Sequence, residues 1–149
     1  MFSFFTGRSN RQEYWISVAL LFLAAFVLLA LHMESANAAI TIMWIITWIR
    51  RLHDIGRSGW WSLAPIALIV VVAMAGVALG GQPLINALTA IEAMNTSYAM
   101  PDNVAYLLFG IGLAGIVIQL GFTIWLGVKK GDEGSNRFGA PPEDIVKRS

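Results

Sequence analysis

Arginine, glycine and aromatic residues recur together in three segments of this 149-residue chain, at residues 7–15, 50–61 and 131–139. Arginine is always charged and binds a phosphate group through two parallel hydrogen bonds. Glycine permits tight turns whose exposed backbone N–H groups also favour anions. If the fold brings the three segments together, this composition predicts a binding site for a phosphate-bearing group such as a lipid head group.

The candidate binding residues are the arginines of these segments and the polar side chains beside them. An anionic head group or a partner protein would be bound by Arg8, Arg11, Arg50, Arg51, His53, Asp54, Arg57, Asn136 and Arg137. The alternative is that the arginines only set the orientation of the chain and pair internally with nearby carboxylates. Those carboxylates are Glu13, Asp54, Asp132 and Glu133. The residue types leave both interpretations open, because arginine at the end of a membrane helix is expected from topology alone.

His53 and Asp54 suggest a catalytic interpretation, since a histidine beside a carboxylate can act as a general acid or base. Adjacent residues of a helix or turn do not face each other, however, so Asp54 need not orient His53. No serine, cysteine or lysine lies in a nucleophile context. The chain contains no Cys and only two His, which argues against a metal site. We therefore predict no catalytic residue, no metal and no cofactor.

Composition indicates that lipid rather than water surrounds most of the chain. Hydrophobic residues make up 57% and charged residues 13%, and the apolar residues fall in long blocks. A membrane-spanning helix needs about 20 mostly apolar residues. Four blocks approach that length, at about residues 14–32, 36–51, 62–80 and 104–128. The second block is short, and it spans the bilayer only if Arg50 and Arg51 extend their side chains to the interface.

These blocks predict an all-α fold, an integral membrane four-helix bundle in which residues 1–149 form a single transmembrane domain. Residues 129–149 form a polar tail, which is expected to be cytoplasmic. Between the third and fourth helices, Pro83 begins a segment with Leu84, Leu88 and Ile91 on one face. That spacing is typical of a short amphipathic helix on the membrane surface, and this helix would lie in the periplasmic loop.

Basic residues are distributed unevenly among the segments outside the membrane. All ten Lys and Arg fall in the N-terminal segment, the central loop and the tail. The charged residues of the other two loops are all acidic, namely Glu34, Glu92 and Asp102. Four spans put the three basic segments on one side, and positive charge is retained in the cytoplasm. Both termini are therefore predicted to be cytoplasmic. Tryptophan prefers the interface, and the predicted anchors near the same helix ends are Trp15, Trp48, Trp60, Trp61 and Trp125.

The three segments together resemble those of a known family. G-R-S-N-R-Q-E-Y-W from Gly7, R-R-L-H-D-I-G-R-S-G-W-W from Arg50 and G-S-N-R-F-G from Gly134 are similar to patterns of the domain of unknown function 805 family of small bacterial inner-membrane proteins. The resemblance extends from Gly7 to Pro142, and the central pattern is the specific one. Residues 140–142 depart from it, with Ala-Pro-Pro where the family more often has a single acidic-Pro pair. The resemblance implies a location in the bacterial inner (plasma) membrane and no particular chemistry.

The predicted spans contain no ionisable side chain away from their ends, and Gln119 is the most polar residue at depth. Transporters and proton pumps usually need such residues. We therefore expect a non-enzymatic scaffold or accessory factor that contacts anionic lipids, a membrane protein partner or a second copy of the chain. The alternatives are an oligomeric channel or transporter subunit and a membrane-embedded enzyme acting on a phosphorylated lipid. A net charge of +1 gives no reason to expect nucleic-acid binding.

Overall fold

The computed structural model describes residues 7–33 and 36–142, without the side chain of residue 37. The described residues form four α-helices and one 3₁₀ helix. These are α1 (Arg11–Ala30), α2 (Asn37–Asp54), the 3₁₀ helix (Gly59–Leu63), α3 (Ala64–Glu92) and α4 (Asp102–Val128). Within the described ranges there is no strand, only an isolated bridge between Asn136 and Gly139. The predicted all-helical class is therefore confirmed.

Within the described residues, three helical segments are long and apolar enough to cross a membrane: α1, the 3₁₀ helix continued by α3, and α4. Most of their large apolar side chains are exposed in the isolated chain. Apolar surface of this extent is rare on soluble monomers, so the helices indicate a membrane protein. The fourth helix, α2, has 18 residues and is less apolar because Arg50, Arg51 and Asp54 lie in its last turns.

Specific residues mark the ends of the helices. Asn10 caps α1, and its side-chain oxygen accepts a hydrogen bond from the Glu13 N–H at 2.8 Å. Gly56 (φ 69°) follows α2 in the left-handed region, and the next N–H, of Arg57, donates to the Leu52 carbonyl at 2.8 Å. This arrangement is a Schellman motif, for which glycine is the favoured residue. The turn directs the chain from α2 into the 3₁₀ helix.

The chain divides into two compact units, and the first contains the described residues up to Leu63 and from Thr123 onward. In this unit α1 packs against α2, and α2 packs against the 3₁₀ helix. Its buried apolar core consists of Tyr14, Val18, Ile46, Trp48, Leu52 and Leu126. Gly127 allows the last turn of α4 to contact the Trp15 ring, because a Cβ at this position would overlap the indole.

The second unit, Ala64–Phe122, contains α3 and most of α4. Gly76 and Gly80 lie on the side of α3 that faces α4, so that a Cβ at either position would overlap the side chains of Ile111 and Leu107 respectively. Small residues allow membrane helices to approach closely in this way. Gly110 of α4 has no neighbouring atom within 4 Å of its Cβ position and therefore plays no such part within the chain.

Gly81 interrupts α3 with a non-helical backbone (φ 54°, ψ −148°), so residues 82–92 form a separate helical segment beyond a kink. Leu84 and Ala87 of this segment are buried against Val104. Leu88 and Ile91 are exposed. The structure therefore contains a helix where the amphipathic segment was predicted, and its position at the membrane surface stays a prediction.

Candidate functional site

The three Arg- and Gly-containing segments meet at one end of the first unit. Arg8 precedes α1, while Arg51 and Asp54 lie in the last turn of α2. The Asp54 carboxylate accepts one hydrogen bond from Nε of Arg8, at 3.1 Å, and a second hydrogen bond from Nη1 of Arg51. We refer to Arg8, Arg51 and Asp54 as the arginine cluster, and to residues 129–142 as the tail.

Arg8 connects the N-terminal segment to the tail. Its Nη1 donates to the carbonyl oxygens of Gly134 at 2.7 Å and Gly139 at 3.2 Å. Its Nη2 donates to the Asp132 carbonyl and forms an ion pair with Asp54 Oδ1 at 3.1 Å. The planar guanidinium fork provides donors in fixed directions. Arg8 therefore fixes the path of the tail by hydrogen bonding to backbone carbonyls of the tail, and not to its side chains.

Arg51 joins the end of α2 to the end of α4. Its Nε donates to the Leu126 carbonyl at 3.0 Å, its Nη1 to the Ser9 carbonyl at 3.1 Å, and its Nη2 to the Lys129 carbonyl. The last carbonyls of a helix have no partner within the helix. Arg51 supplies that partner for α4, and its positive charge complements the negative end of the helix dipole.

Further contacts close the tail over the end of α2. The Asp132 N–H donates to the Asp54 carbonyl at 2.8 Å, and the Asn136 side-chain amide donates to the His53 carbonyl at 3.0 Å. The Phe138 ring stacks on the His53 imidazole, with 3.9 Å between centroids and 10° between planes. A Cβ on Gly131 would overlap the Asp54 carboxylate. Glycine is therefore required at position 131 by the close approach of the tail to Asp54.

Burial determines the electrostatics of the cluster. Arg8, Arg51 and Asp54 are 5%, 0% and 3% exposed. Buried charges need partners. Here the Asp54 carboxylate and backbone carbonyls at the ends of α2 and α4 together balance the positive charges of Arg8 and Arg51. The guanidinium groups of Arg51 and Arg8 offset the cost of burying the Asp54 carboxylate. Loss of either arginine would leave that carboxylate less well compensated.

The predicted binding residues separate into two groups. Arg8, Arg51 and Asp54 face inward, and each nitrogen of the two guanidinium side chains donates to the chain itself. For these three residues the structure favours internal pairing, the alternative interpretation of the sequence. The side chains of His53, Asn136 and Arg50 are buried or half-buried, while those of Arg11, Arg57 and Arg137 are exposed. Whether the exposed residues bind a ligand stays a prediction.

Tryptophans surround the same end of the first unit. Trp15, Trp60, Trp61 and Trp125 are exposed, whereas Trp48 is only 1% exposed and belongs to the core. Two exposed rings carry a cation: the Arg57 guanidinium lies 5.9 Å from the Trp61 ring centroid, and the Lys129 ammonium lies 5.9 Å from that of Trp125. Such pairs hold a positive charge beside an aromatic face.

A polar recess of about 310 Å³ opens beside the arginine cluster. It lies among the start of α1, the end of α2 and the tail, and its walls include Arg11, Asp54, Lys130 and Asp132. In the described part of the chain, no group of three His, Asp or Glu side chains could hold a metal ion. The recess contains charges of both signs, and its two carboxylates differ: Asp54 is buried, whereas Asp132 is exposed.

Several residues of the site were not predicted from the sequence. The backbone carbonyls of the tail that accept hydrogen bonds from Arg8 and Arg51 could not be predicted from the sequence, because every residue has a carbonyl group. Tyr14, whose hydroxyl donates to the Thr123 carbonyl at 2.9 Å, was read only as part of a motif. Phe138 lies in the segment G-S-N-R-F-G, and its place in that family pattern was the one available signal. Lys147 and Arg148, counted among the basic residues, lie outside the described residues.

Comparison with known proteins identifies a family and no individual relative. No curated protein and no solved structure matches the chain. A family model described as "Protein of unknown function (DUF805)" matches residues 2–140, which includes all three segments that form the arginine cluster and its tail. The chain therefore belongs to the DUF805 family.

Proposed function

We propose that this chain is a non-enzymatic protein of the bacterial inner membrane that crosses the bilayer four times. The supporting observation for the topology is that α1 begins, and α2 and α4 end, at the arginine cluster. A chain that leaves this point through α1 must return to it through α2. The same holds for α3 and α4, so both termini share one side. The positive-inside rule makes that side cytoplasmic.

The short helix α2 is compatible with a span. Its 18 residues measure about 27 Å at ~1.5 Å per residue, against a hydrocarbon core of ~30 Å. Its charged residues are confined to the end at the arginine cluster, where they would lie at the interface. Residues 82–92 would then lie at the opposite surface, with Leu88 and Ile91 toward the acyl chains.

We further propose that the cytoplasmic end binds anionic lipid head groups through its exposed cations. The observation that carries this proposal is the excess of charge there. The described residues of the three basic segments contain eight Lys and Arg against four Asp and Glu, a net charge of +4 with His53 neutral. Arg8 and Arg51 are buried and form their hydrogen bonds within the chain. Exposed cations remain in all three segments, namely Arg11, Arg57, Lys129, Lys130 and Arg137.

The geometry of the site supports a binding role over a catalytic one. The carboxylate best placed to act as a base, that of Asp54, is held by two arginines. The neighbouring His53 ring is covered on one face by Phe138. By contrast, the pairs Arg57–Trp61 and Lys129–Trp125 combine a phosphate ligand with a ring that prefers the membrane interface.

The test is a titration of the detergent-solubilised protein with phosphatidylglycerol and with phosphatidylcholine of the same acyl chains, followed by native mass spectrometry. The variant replaces Arg11, Arg57 and Arg137 by Gln, and the matched control replaces the same three residues by Lys. Each cation near a membrane surface contributes about 1 kcal/mol to anionic-lipid attraction, so three contribute about 3 kcal/mol. That free energy corresponds to a loss of roughly 100-fold in affinity for phosphatidylglycerol.

We expect the Gln variant to lose most of the preference for phosphatidylglycerol, with Lys129 and Lys130 retaining the remainder, and the Lys control to keep the full preference. The orientation of both variants is checked by labelling, because removing cytoplasmic arginines can alter topology. A Gln variant that retains the wild-type preference would refute the head-group proposal. Selective retention of a protein rather than of lipid by the wild-type chain would indicate a partner-binding surface instead.

A further inference from the structure

A groove in the first unit has no part in the arginine cluster. It lies between α2 and the 3₁₀ helix and encloses about 380 Å³, within the range of small-ligand sites. Its walls include Ile45, Ile49 and His53 of α2, and Ser58, Trp60 and Leu63 of the following segment. We call it the α2 groove.

The central segment builds this groove with the residues that the arginine cluster does not use. Gly56 turns the chain out of α2, and Gly59 brings the 3₁₀ helix back against it. A Cβ on Gly59 would lie 3.0 Å from Cγ2 of Ile49 and 3.3 Å from Nε2 of His53. Even a methyl group at this position would therefore press on the floor of the groove. Glycine at position 59 therefore allows the 3₁₀ helix to lie close to α2 without filling the groove.

The groove is polar at one end and apolar at the other. Ile45 and Ile49 are one helical turn apart and form an apolar wall, while His53 and Ser58 lie at the end near the turn. Residues 45 and 53 are separated by about 12 Å along the helix axis, at ~1.5 Å per residue. The shape and polarity match an amphiphile whose polar group lies near Ser58 and whose chain follows α2.

Charge at the polar end favours an anion. Arg57 is exposed and directly precedes Ser58. Arg137 donates from Nη2 to the Gly56 carbonyl at 3.4 Å. The Asp132 carboxylate also lies near Gly56, where it accepts a hydrogen bond from Asn136 at 2.8 Å. Neither guanidinium lines the groove itself, and that of Arg57 lies over the Trp61 ring. Two arginines and one carboxylate thus lie in or beside the turn at this end, which gives the turn a net positive charge.

The groove is too small to enclose a partner helix, but part of one acyl chain fits in it. A helix is ~10 Å across, so a 10 Å length occupies about 800 Å³, twice the volume of the groove. The groove is bordered by exposed apolar side chains, with Trp60 79% exposed and Leu63 also exposed. Both residues belong to the segment Gly59–Glu92, which is apolar enough to cross a membrane. The surroundings therefore favour a lipid, with one acyl chain in the groove and the rest of the molecule in the bilayer beside it.

We propose that the α2 groove binds a single anionic phospholipid, with the phosphate beside Arg57 and Ser58 and one acyl chain along Ile49 and Ile45. The inference rests on the proposed binding of anionic lipids and assigns one such lipid to a defined site. The remaining exposed cations would then contact the surrounding head groups without holding any one of them. Binding in the groove is expected to be the tightest of these interactions, because it adds burial of an acyl chain to the charge attraction.

The test fills the apolar end of the groove. Ile45→Trp and Ile49→Trp place an indole where the acyl chain would lie, and Ile42→Trp, at an exposed position on the same helix outside the groove, is the matched control. Phosphatidylglycerol is titrated into each purified full-length variant, and the first binding step is measured by native mass spectrometry. We expect the two groove variants to weaken that step by tenfold or more, and the control to leave it unchanged.

A measurement on the unmodified chain guards against variants that fail to fold. Phosphatidylglycerol with a photoreactive diazirine in one acyl chain is added at one molecule per protein, and the crosslinked peptides are identified. We expect the crosslinks to fall on residues 45–49 and 60–63. Crosslinks spread evenly over all four helices would overturn the groove assignment.

The outcomes also separate this inference from the proposed function. If both groove variants bind phosphatidylglycerol as tightly as Ile42→Trp does, while neutralising Arg11, Arg57 and Arg137 strongly reduces the lipid preference, the groove assignment is wrong and head-group binding stands. If neither change affects binding, both proposals fail.

Discussion

The replacement Asp54→Asn tests whether the arginine cluster holds the first unit together. Asn keeps the size of the side chain but removes the negative charge that faces two buried guanidinium groups. The Asp54 carboxylate lies 3.1 Å from Nε and 3.1 Å from Nη2 of Arg8, and it also accepts a hydrogen bond from Nη1 of Arg51. Removing one partner of a buried ion pair costs about 3–5 kcal/mol, because the remaining charge is left uncompensated.

The lower part of that range applies here. Arg8 and Arg51 keep their carbonyl acceptors in the variant, including Gly134 and Leu126. We therefore expect Asp54→Asn to lower the free energy of unfolding by about 3 kcal/mol, which is more than a hundredfold in the folding equilibrium constant. The measurement is an equilibrium titration with sodium dodecyl sulfate in mixed micelles, followed by tryptophan fluorescence.

The matched control is Glu133→Gln, which removes a carboxylate from an exposed ion pair with Lys130 in the tail. Lys130 lowers the pKa of Glu133, but both side chains are open to solvent. Exposed pairs contribute little, so we expect no measurable change. If Asp54→Asn is as stable as this control, the buried cluster does not stabilise the fold and the reasoning is refuted.

Three further predictions concern the tail and the topology. Arg8→Lys should loosen the tail, because an ammonium group lacks the guanidinium fork; a Cys introduced at Ser135 should then react faster with maleimide, and equal rates would contradict this role of Arg8. Gly131→Ala should destabilise the protein by overlap with the Asp54 carboxylate, whereas Gly134→Ala, with no neighbour within 4 Å, should not; equal unfolding midpoints would count against the packing. For the topology, an impermeant maleimide should label Ser97→Cys in intact cells and Ser135→Cys only after permeabilisation. The reverse pattern would invert the proposed orientation.

Much of the fold could be predicted because membrane helices are encoded by composition. Long apolar blocks are sufficient to locate α1, α3 and α4. The end of α2 was harder to predict from the sequence. The helix continues through Arg51 to Asp54 because these charged side chains are paired in the folded chain. The separate helical segment beyond Gly81 was predicted as well, because a glycine followed closely by Pro83 usually ends a helix, and the structure has a kink there.

The site could be predicted in its location but not in its internal arrangement. Topology alone indicated that the three basic segments meet. Whether an arginine faces inward depends on backbone carbonyls far away in the sequence, such as Gly139 for Arg8 and Lys129 for Arg51. Those acceptors exist only in the folded chain. The same residue type therefore supports the fold at positions 8 and 51 and remains exposed at positions 11 and 57.

The central claim is that the exposed cations of this end, rather than the buried arginines, attract anionic lipid. Its most direct test is to extract the protein from its own membrane with a lipid-encapsulating polymer and to measure the anionic fraction of the enclosed lipid. We expect wild-type discs to be enriched in anionic lipid over the bulk membrane, and the variant with Arg11, Arg57 and Arg137 replaced by Gln to be enriched much less. Equal enrichment in the two samples would contradict the claim.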